Sequence, residues 1–171
     1  MGTRFITWIL AALGRECFHI GRQKADVPGE FDAYLTRWTL LGRRHAGGGK
    51  VFLHHFHRGD AEPYNHDHPW PFWSLILWGG YWEWTPLREG DPVADIETLT
   101  EKAVWYGLGR LLRRPAEWQH RVELPRGRKA WTLVWTGPKS RSWGFICPGR
   151  GWIPWREHEA NQLAGKAGCG D

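Results

Sequence analysis

The chain has 171 residues, which is enough for one domain with a sizeable hydrophobic core. Its 23 Lys and Arg residues exceed its 18 Asp and Glu residues by five, a modest excess that a solvated surface explains without a nucleic-acid partner. No apolar run is long enough to span a bilayer, and the 14 tryptophans indicate an aromatic core, with some left to line pockets or interfaces.

An N-terminal helix is the first predicted element. Apolar residues recur at helical spacing over residues 3–18, and this segment lacks a convincing signal-peptide cleavage site. The stretch from Gly21 to Gly29 is typical of a linker because it ends in a Pro-Gly turn pair. We therefore assign residues 1–24 to a helix packed on the domain and to its linker.

Short segments rich in β-branched and aromatic residues, separated by turns, follow over residues 25–160. The predicted strands cover residues 34–41, 51–58, 74–78, 81–84, 103–106, 118–124, 130–136 and 142–146. There is no βαβ alternation and no Gly-rich phosphate loop, so the pattern predicts an all-β protein with one small barrel. Residues 161–171 are predicted to be a flexible tail.

The three cysteines, Cys17, Cys147 and Cys169, are scattered along the chain. They show neither the CxxC spacing of a redox or zinc site nor the pattern of a disulfide framework. Because free cysteines are typical of reducing compartments, we predict a cytoplasmic protein.

Three histidines form the candidate functional site. His66 and His68 are separated by one residue, and side chains at that spacing project to the same side of a β-strand, with Asp67 pointing outward. His120, from another predicted strand, can complete a facial triad around a divalent metal. Neutral imidazoles suit Fe(II), Zn(II), Ni(II) or Cu(II), and ligand type alone does not choose among them. A metal-free ligand-binding site is the alternative.

The first histidine pair resembles the first sequence motif of the cupin superfamily. That motif runs HxH, three or four residues, Glu, six residues and Gly. Here His66 and His68 are followed by Trp73, where the motif has Glu, and then by Gly80 at the expected spacing. The resemblance therefore covers the spacing of the motif and departs from it at the glutamate.

The third histidine resembles the second cupin motif. Gly109, Pro115 and His120 match that motif in spacing, whereas Glu117 and Leu124 replace its second Gly and its Asn. Two spaced motifs in one chain imply a single small cupin barrel, a double-stranded β-helix or jelly roll, to which the N-terminal helix is added. They also imply that the three histidines are the metal ligands.

Thiol dioxygenases of the cysteine dioxygenase type bind ferrous iron with three histidines and no glutamate. The chain resembles them in its His-Asp-His segment and in the run His120-Arg121-Val122-Glu123. Arg37 falls near the place where those enzymes keep an arginine for the substrate carboxylate. The resemblance implies an Fe(II) centre, with Zn(II) or Ni(II) as alternatives, and a substrate-binding Arg37. A surface ion pair is the alternative for Arg37.

The departures from the thiol dioxygenases limit what the resemblance implies. Trp73 stands where those enzymes often place a cysteine, and Thr132, Val134 and Thr136 stand where they keep Ser, His and Tyr. The usual sulfur-oxidising residues are incomplete. We therefore carry over no particular substrate and leave the catalytic residues unassigned.

Several other side chains have two interpretations each. Trp118 shares the strand parity of the third histidine, so we predict that it lines the substrate pocket. His54, His55 and His57 are predicted to be hydrogen-bonded structural histidines, with a pocket role as the alternative. Glu83 is either an acid or base lining the barrel or a solvated residue at its edge.

These observations predict a metal-binding cupin. The most specific interpretation is a non-haem Fe(II) dioxygenase-like enzyme acting on a small anionic substrate. A non-enzymatic small-ligand sensor and a Zn(II) Lewis-acid isomerase or hydrolase are the alternatives. We expect no membrane partner. The basic segment from Arg110 to Lys129 leaves a nucleic-acid partner as a disfavoured alternative, because it carries no motif of interleaved stacking aromatics. The resemblance to cupins allows a homodimer.

Overall fold

A computed structural model describes residues 8–9, 16–23, 31–42, 48–60, 63–87 and 101–170. Eleven strands and one longer helix are found in this part of the chain. They are β1 (Cys17–Gln23), β2 (Phe31–Leu41), β3 (Val51–Phe56), β4 (Phe72–Trp78), β5 (Gly80–Pro86), β6 (Glu101–Gly107), β7 (Leu111–Arg114), β8 (Arg121–Glu123), β9 (Ala130–Thr136), β10 (Gly144–Cys147), β11 (Gly151–Pro154) and α1 (Trp155–Leu163).

Two antiparallel sheets carry the fold. The larger sheet has the strand order β1-β2-β3-β9-β4-β7, and the smaller sheet has the order β6-β5-β8. β10 and β11 form a separate hairpin that leads directly into α1. Strands therefore dominate the described residues, and the prediction of an all-β protein is confirmed.

Side-chain alternation gives the larger sheet an inner face. On β9 every second residue from Ala130 to Thr136 is buried, as expected for a strand with one face on a core. Residues directly opposite each other in an antiparallel pair share a face. One inward row therefore crosses four strands through Arg37, His54, Thr132 and Ile76.

The hydrophobic core lies inside the two sheets, in two clusters. The larger contains Ile76, Tyr81, Leu112, Val122, Leu124 and Ala130. The smaller contains Phe52, Phe72 and Val134, with Trp70 packed against it. Burial of such side chains stabilises the folded state by roughly 1.5–3 kcal/mol each. The second cluster does not fill the interior beside the histidines.

The N-terminal assignment is partly wrong. Of the helix predicted over residues 3–18, the structure describes helical backbone at residues 8–9, and residues 1–7 and 10–15 lie outside the described residues. Residues 17–23, which we had assigned to helix and linker, form β1 and pair with β2 from Cys17 opposite Trp38 onward. The strand formers Phe18 and Ile20 support this pairing.

The C-terminal segment is tied down, which contradicts a flexible tail. Cys169 is 1% exposed and forms a disulfide with Cys147, with the two Cα atoms 5.5 Å apart. Nη1 of Arg150 donates to the carbonyl of Cys169 at 2.6 Å, and Nδ2 of Asn161 donates to the carbonyl of Gly168 at 2.9 Å. The sequence does not predict this disulfide, because its two cysteines lack CxxC spacing. They meet only after α1 reverses the direction of the chain.

The disulfide also bears on the predicted location. Structural disulfides are typical of oxidising compartments, so the cysteines no longer support the cytoplasmic prediction, which stays untested. No helix in the described part of the chain is both long and apolar enough to cross a membrane.

Removing the disulfide is expected to destabilise the protein. The bond closes a loop with a sequence separation of 22 residues, and a cross-link of that size stabilises by roughly 3 kcal/mol in the chain-entropy description. The double variant Cys147→Ala, Cys169→Ala should therefore unfold at clearly lower denaturant concentration in a urea titration. Cys17→Ala is the control, because Cys17 is free and exposed. Coincident transitions for wild type and double variant would contradict the prediction.

Candidate metal centre

The three histidines are brought together by backbone pairing between distant segments. His66 and His68 lie between β3 and β4, and His120 immediately precedes β8. The amide of His66 donates to the carbonyl of His120 at 2.8 Å, and the amide of His120 donates back to His66 at 3.0 Å. This reciprocal pair makes the two motifs neighbours.

Their imidazoles converge on one point. One ring nitrogen from each of His66, His68 and His120 lies within 4.8 Å of the other two, and Nε2 of His68 is 2.8 Å from Nε2 of His120. All three rings line a cavity, and His120, at 6% exposure, is more buried than the other two. The three-histidine cluster expected from the two motifs is present.

Two carboxylates lie behind the cluster. Nδ1 of His120 is 2.6 Å from Oε1 of Glu83, and Nδ1 of His66 is 3.9 Å from Oδ2 of Asp60. An imidazole that donates its Nδ1 proton to a carboxylate turns the lone pair of Nε2 toward the opposite side. Glu83 therefore sets the tautomer that leaves Nε2 of His120 free to act as a ligand.

Glu83 also connects the histidines to an arginine. It is 2% exposed and accepts hydrogen bonds from two nitrogens of Arg114, one of them at 3.0 Å. Burial raises the pKa of Glu83, but the hydrogen bonds and charges of His120 and Arg114 outweigh it and lower the pKa to about 2. The carboxylate is thus ionised at neutral pH, and the solvated-edge interpretation of Glu83 is wrong.

Burial keeps His66 and His68 neutral at neutral pH. It lowers the pKa of His66 to about 4, although the charge of Asp60 acts in the opposite direction. Burial and the neighbouring histidines lower the pKa of His68 well below its ordinary value. Neutral imidazoles are the form that binds metals.

Asp67 anchors the segment that carries the histidine pair. An outward-pointing Asp67 either orients a neighbour or faces solvent, and at 2% exposure it does not face solvent. Its carboxylate accepts hydrogen bonds from the Gly144 amide at 2.7 Å, from Nε1 of Trp152 at 2.9 Å and from Arg141. Both carboxylate oxygens of Asp67 are used. The bonds from Gly144 and Trp152 join the histidine segment to the β10–β11 hairpin.

A cavity in two parts adjoins the histidines. The inner part, about 100 Å³, extends between the sheets toward Phe52, Phe72 and Val134. The outer part, about 440 Å³, is bounded by the β10–β11 hairpin and α1. Both parts are lined by the first two histidines of the cluster and by Arg37.

Arg37 places a positive charge beside the cluster. Its Nε donates to Nε2 of His54 at 2.8 Å, and its guanidinium carbon lies 4.8 Å from the centre of the Phe52 ring. Burial lowers its pKa, yet a guanidinium stays protonated in proteins. None of the described carboxylates forms an ion pair with it. The described residues therefore give no support to the surface-ion-pair alternative.

The histidine-rich strand β3 divides between two faces. His54 lines the inner cavity beside Arg37. His55 stacks on Trp131 with ring centroids 4.2 Å apart, and His57 lies 2.7 Å from the hydroxyl of Thr36. His57 fits the hydrogen-bonded structural interpretation. His55 is structural through stacking, since its Nδ1 is buried without a hydrogen-bond partner among the described residues. The pocket alternative suits His54.

Two tryptophans lie away from the cavity. Trp118, predicted to bind substrate, is not among the cavity-lining residues; its Nε1 donates to Glu83 at 3.3 Å and its ring packs 4.5 Å from the Arg114 guanidinium carbon. The parity argument failed because β8 begins only at residue 121. Trp73, which replaces the motif glutamate, stacks on Trp135 with centroids 6.1 Å apart.

The strand after the third histidine lines the inner cavity, as its alignment with the thiol dioxygenases implies. Thr132, Val134 and Thr136 all reach the cavity wall, and none carries an acid or base. The hydroxyl oxygen of Thr132 is buried without a hydrogen-bond partner in the described part of the chain. A small polar group entering the inner cavity would satisfy it.

Several cavity residues escaped the sequence analysis. Tyr34 and Asp60 line both parts of the cavity, and Trp143, Phe145 and Trp155 line the outer part. Nothing in local spacing distinguishes these side chains from core aromatics or loop acids, because long-range packing alone brings them to the histidines.

No protein-family model and no curated protein sequence matches the chain. Solved structures do match. A cupin-2 domain protein of Rhodospirillum rubrum is similar at 13% identity and a TM-score of 0.53, over 92% of this chain and 91% of that chain. The DMSP lyase DddQ of Ruegeria pomeroyi is similar at 18% identity and a TM-score of 0.52, over 84% of this chain and 67% of that chain.

A further similar structure is the polyketide cyclase RemF of Streptomyces resistomycificus, at 14% identity and a TM-score of 0.50, over 69% of this chain and 75% of that chain. At such identities the likeness concerns the fold. The likeness confirms the cupin-like fold that the two motifs implied, and the histidine cluster is present in it.

Proposed function

We propose that this cupin-fold protein binds a divalent metal through His66, His68 and His120 and acts as a metal-dependent enzyme on a small anionic substrate. One observation carries the proposal. Three imidazoles converge within 4.8 Å at the wall of a cavity that also presents Arg37.

The donor set fits a first-row metal. Two nitrogens that each lie about 2.1 Å from one metal ion, with a right angle between the two bonds, are about 3 Å apart. This is close to the 2.8 Å between Nε2 of His68 and Nε2 of His120. Glu83 fixes the tautomer of one ligand, as carboxylates behind metal-bound histidines do. Three histidines without a carboxylate suit Fe(II), Zn(II) or Ni(II).

We favour Fe(II) and an oxygen-dependent reaction, because the ligand set resembles that of the thiol dioxygenases. A bound Fe(II) would supply oxygen activation, and Zn(II) would supply Lewis-acid chemistry. The chain's own contribution is binding and orientation: Arg37 attracts the anionic group of the substrate, and the buried walls exclude water around it. A Zn(II) Lewis-acid reaction is the second candidate, because three histidines without a carboxylate suit Zn(II) as well.

Metal analysis combined with oxygen uptake tests the proposal. Protein prepared under nitrogen should contain one divalent metal per chain by elemental analysis. Oxygen uptake by the Fe(II) form in the presence of small carboxylates or thiols would support the dioxygenase-like reaction. Turnover of such a substrate without oxygen uptake would support the Lewis-acid candidate. Failure to bind any of the three metals would overturn the proposal.

Replacing Arg37 is expected to weaken anion binding without removing the metal. A hydrogen bond to a charged group is worth about 1.5–3 kcal/mol, so Arg37→Met should raise the dissociation constant of acetate by about 10- to 100-fold. The visible spectrum of Co(II)-substituted protein, titrated with acetate, measures this constant. Arg113→Met is the control, because Arg113 is exposed over the Trp73 ring and outside the cavity. Equal constants for wild type and Arg37→Met would contradict the prediction.

A further inference from the structure

The two parts of the cavity differ in what they can hold. Pockets for drug-sized ligands measure about 300–1,000 Å³. The outer part, at about 440 Å³, is within this range, and the inner part, at about 100 Å³, is far below it. A substrate of more than a few atoms therefore places only one end between the sheets, and its body lies in the outer part.

The walls of the outer part are aromatic. Trp143 and Trp155 stack on each other with ring centroids 5.9 Å apart and planes inclined by 8°. Phe145 continues this wall and itself stacks on His158 at 3.8 Å, and Trp70 stands at the junction with the inner part. Large, rigid rings arranged in this way bind flat apolar groups by stacking and area burial.

The wall is held in place from behind. Phe145 packs against the cluster formed by Cys147, Ile153 and Cys169, which contains the disulfide. The hairpin that carries Trp143 and Phe145 is also bonded to Asp67 through the amide of Gly144. The aromatic surface is therefore preorganised, which favours binding because little side-chain freedom is lost.

The charges around the cavity limit the substrate to one anionic group. Arg37 and the carboxylate of Asp60 line both parts of the cavity, and the carboxylate of Glu159 lines the outer part. A second anion in the outer part would meet these two negative charges. The cavity thus offers one cationic position at its inner end and an apolar body region beyond it.

We infer that the substrate is an aryl carboxylic acid, with its carboxylate at Arg37 and its aromatic ring against Trp143, Phe145 and Trp155. This assignment deepens the proposed function, since it names the substrate class of the same site. The binding it describes does not itself depend on the metal.

Calorimetric titration with three matched probes tests the inference. The probes are 3-phenylpropionate, 3-cyclohexylpropionate, which lacks aromaticity, and 3-phenylpropanol, which lacks the charge. The first should bind at least several-fold more tightly than either of the others, because an aromatic pair contributes about two- to tenfold and the guanidinium adds its own preference. Equal affinities for the three probes, or no binding of 3-phenylpropionate, would overturn the inference.

Variants of the wall give a second measurement. Trp143→Leu and Trp155→Leu should each weaken 3-phenylpropionate by about two- to tenfold and leave acetate binding unchanged. Trp82→Leu is the control, because Trp82 is 40% exposed on β5 and outside the cavity. Unchanged 3-phenylpropionate affinity in both wall variants would overturn the inference.

Metal content is measured on the same samples. Selective aryl binding by protein that takes up no metal would support the inference and overturn the proposed function. A metal-loaded protein with no preference for the aryl acid would overturn the inference alone.

Discussion

Replacing His120 with alanine is expected to abolish metal binding. The variant removes one of three nitrogens that converge within 4.8 Å, and the two that remain belong to one short segment. Two histidines without a third protein ligand hold first-row metals too weakly to survive dialysis. Elemental analysis after dialysis should therefore fall from equimolar metal to background. The rise in melting temperature on adding metal should disappear with it, because ligand binding stabilises the folded state only when the site exists.

His57→Ala is the matched control for this experiment. His57 also lies in a strand-rich segment, but it follows the end of β3 and lines neither part of the cavity, with its ring nitrogen 2.7 Å from the Thr36 hydroxyl. It should keep the full metal content. Equimolar metal in the His120→Ala variant would show that the triad is not the binding site, and loss of metal in the control would show that the readout follows general destabilisation.

The sequence predicted the histidine cluster because its two halves are local patterns. The single residue between His66 and His68 is read directly, and the second motif fixes His120 by its spacing from Gly109 and Pro115. Arg37 was indicated differently, by the resemblance to the thiol dioxygenases, which keep a substrate-binding arginine near that place. The histidine predictions need only short spacings, and all four of these side chains line the cavity.

The sequence could not predict that Glu83 binds the third histidine, because this contact depends on how distant strands pair. Glu83 pairs with Val122 where β5 meets β8, and this places it beside a histidine 37 positions later in the chain. No local pattern states which strand will lie next to β5. The sequence could offer Glu83 only as an acid, a base or an edge residue.

The disulfide and the outer wall escaped prediction for a similar reason. Cys147 and Cys169 meet because β10, β11 and α1 turn the chain back on itself. The same turn brings Trp143 and Trp155 to the cavity. In the sequence these tryptophans are indistinguishable from the many that fill the core.

Replacing Glu83 with glutamine is expected to weaken metal binding and to destabilise the fold. A glutamine cannot accept the Nδ1 proton of His120 as a carboxylate does, and loss of such a partner typically costs 10- to 100-fold in metal affinity. The change also leaves Arg114 without its buried counter-ion. Breaking a buried pair by removing one partner costs about 3–5 kcal/mol.

Glu83→Gln should also change how the free energy of unfolding depends on pH. A carboxyl group whose pKa is lowered in the fold contributes stability that is present above its unfolded pKa and is lost as the pH falls through its folded pKa. For Glu83 the loss runs from an unfolded value of about 4.3 down to about 2. Glu83→Gln lacks this contribution, so its unfolding free energy should fall less steeply over that interval than that of the wild type.

Two further variants separate the metal effect from the stability effect. Glu123→Gln is the control, because Glu123 is 53% exposed by its side chain and lies on the adjacent strand β8. It should alter neither property. In the double variant Glu83→Gln, Arg114→Met, the unpaired charge is gone, so much of the stability should return. Metal affinity should stay low, because His120 still lacks its carboxylate. If the double variant regained full affinity, Glu83 would act on the metal site only through the stability of the fold.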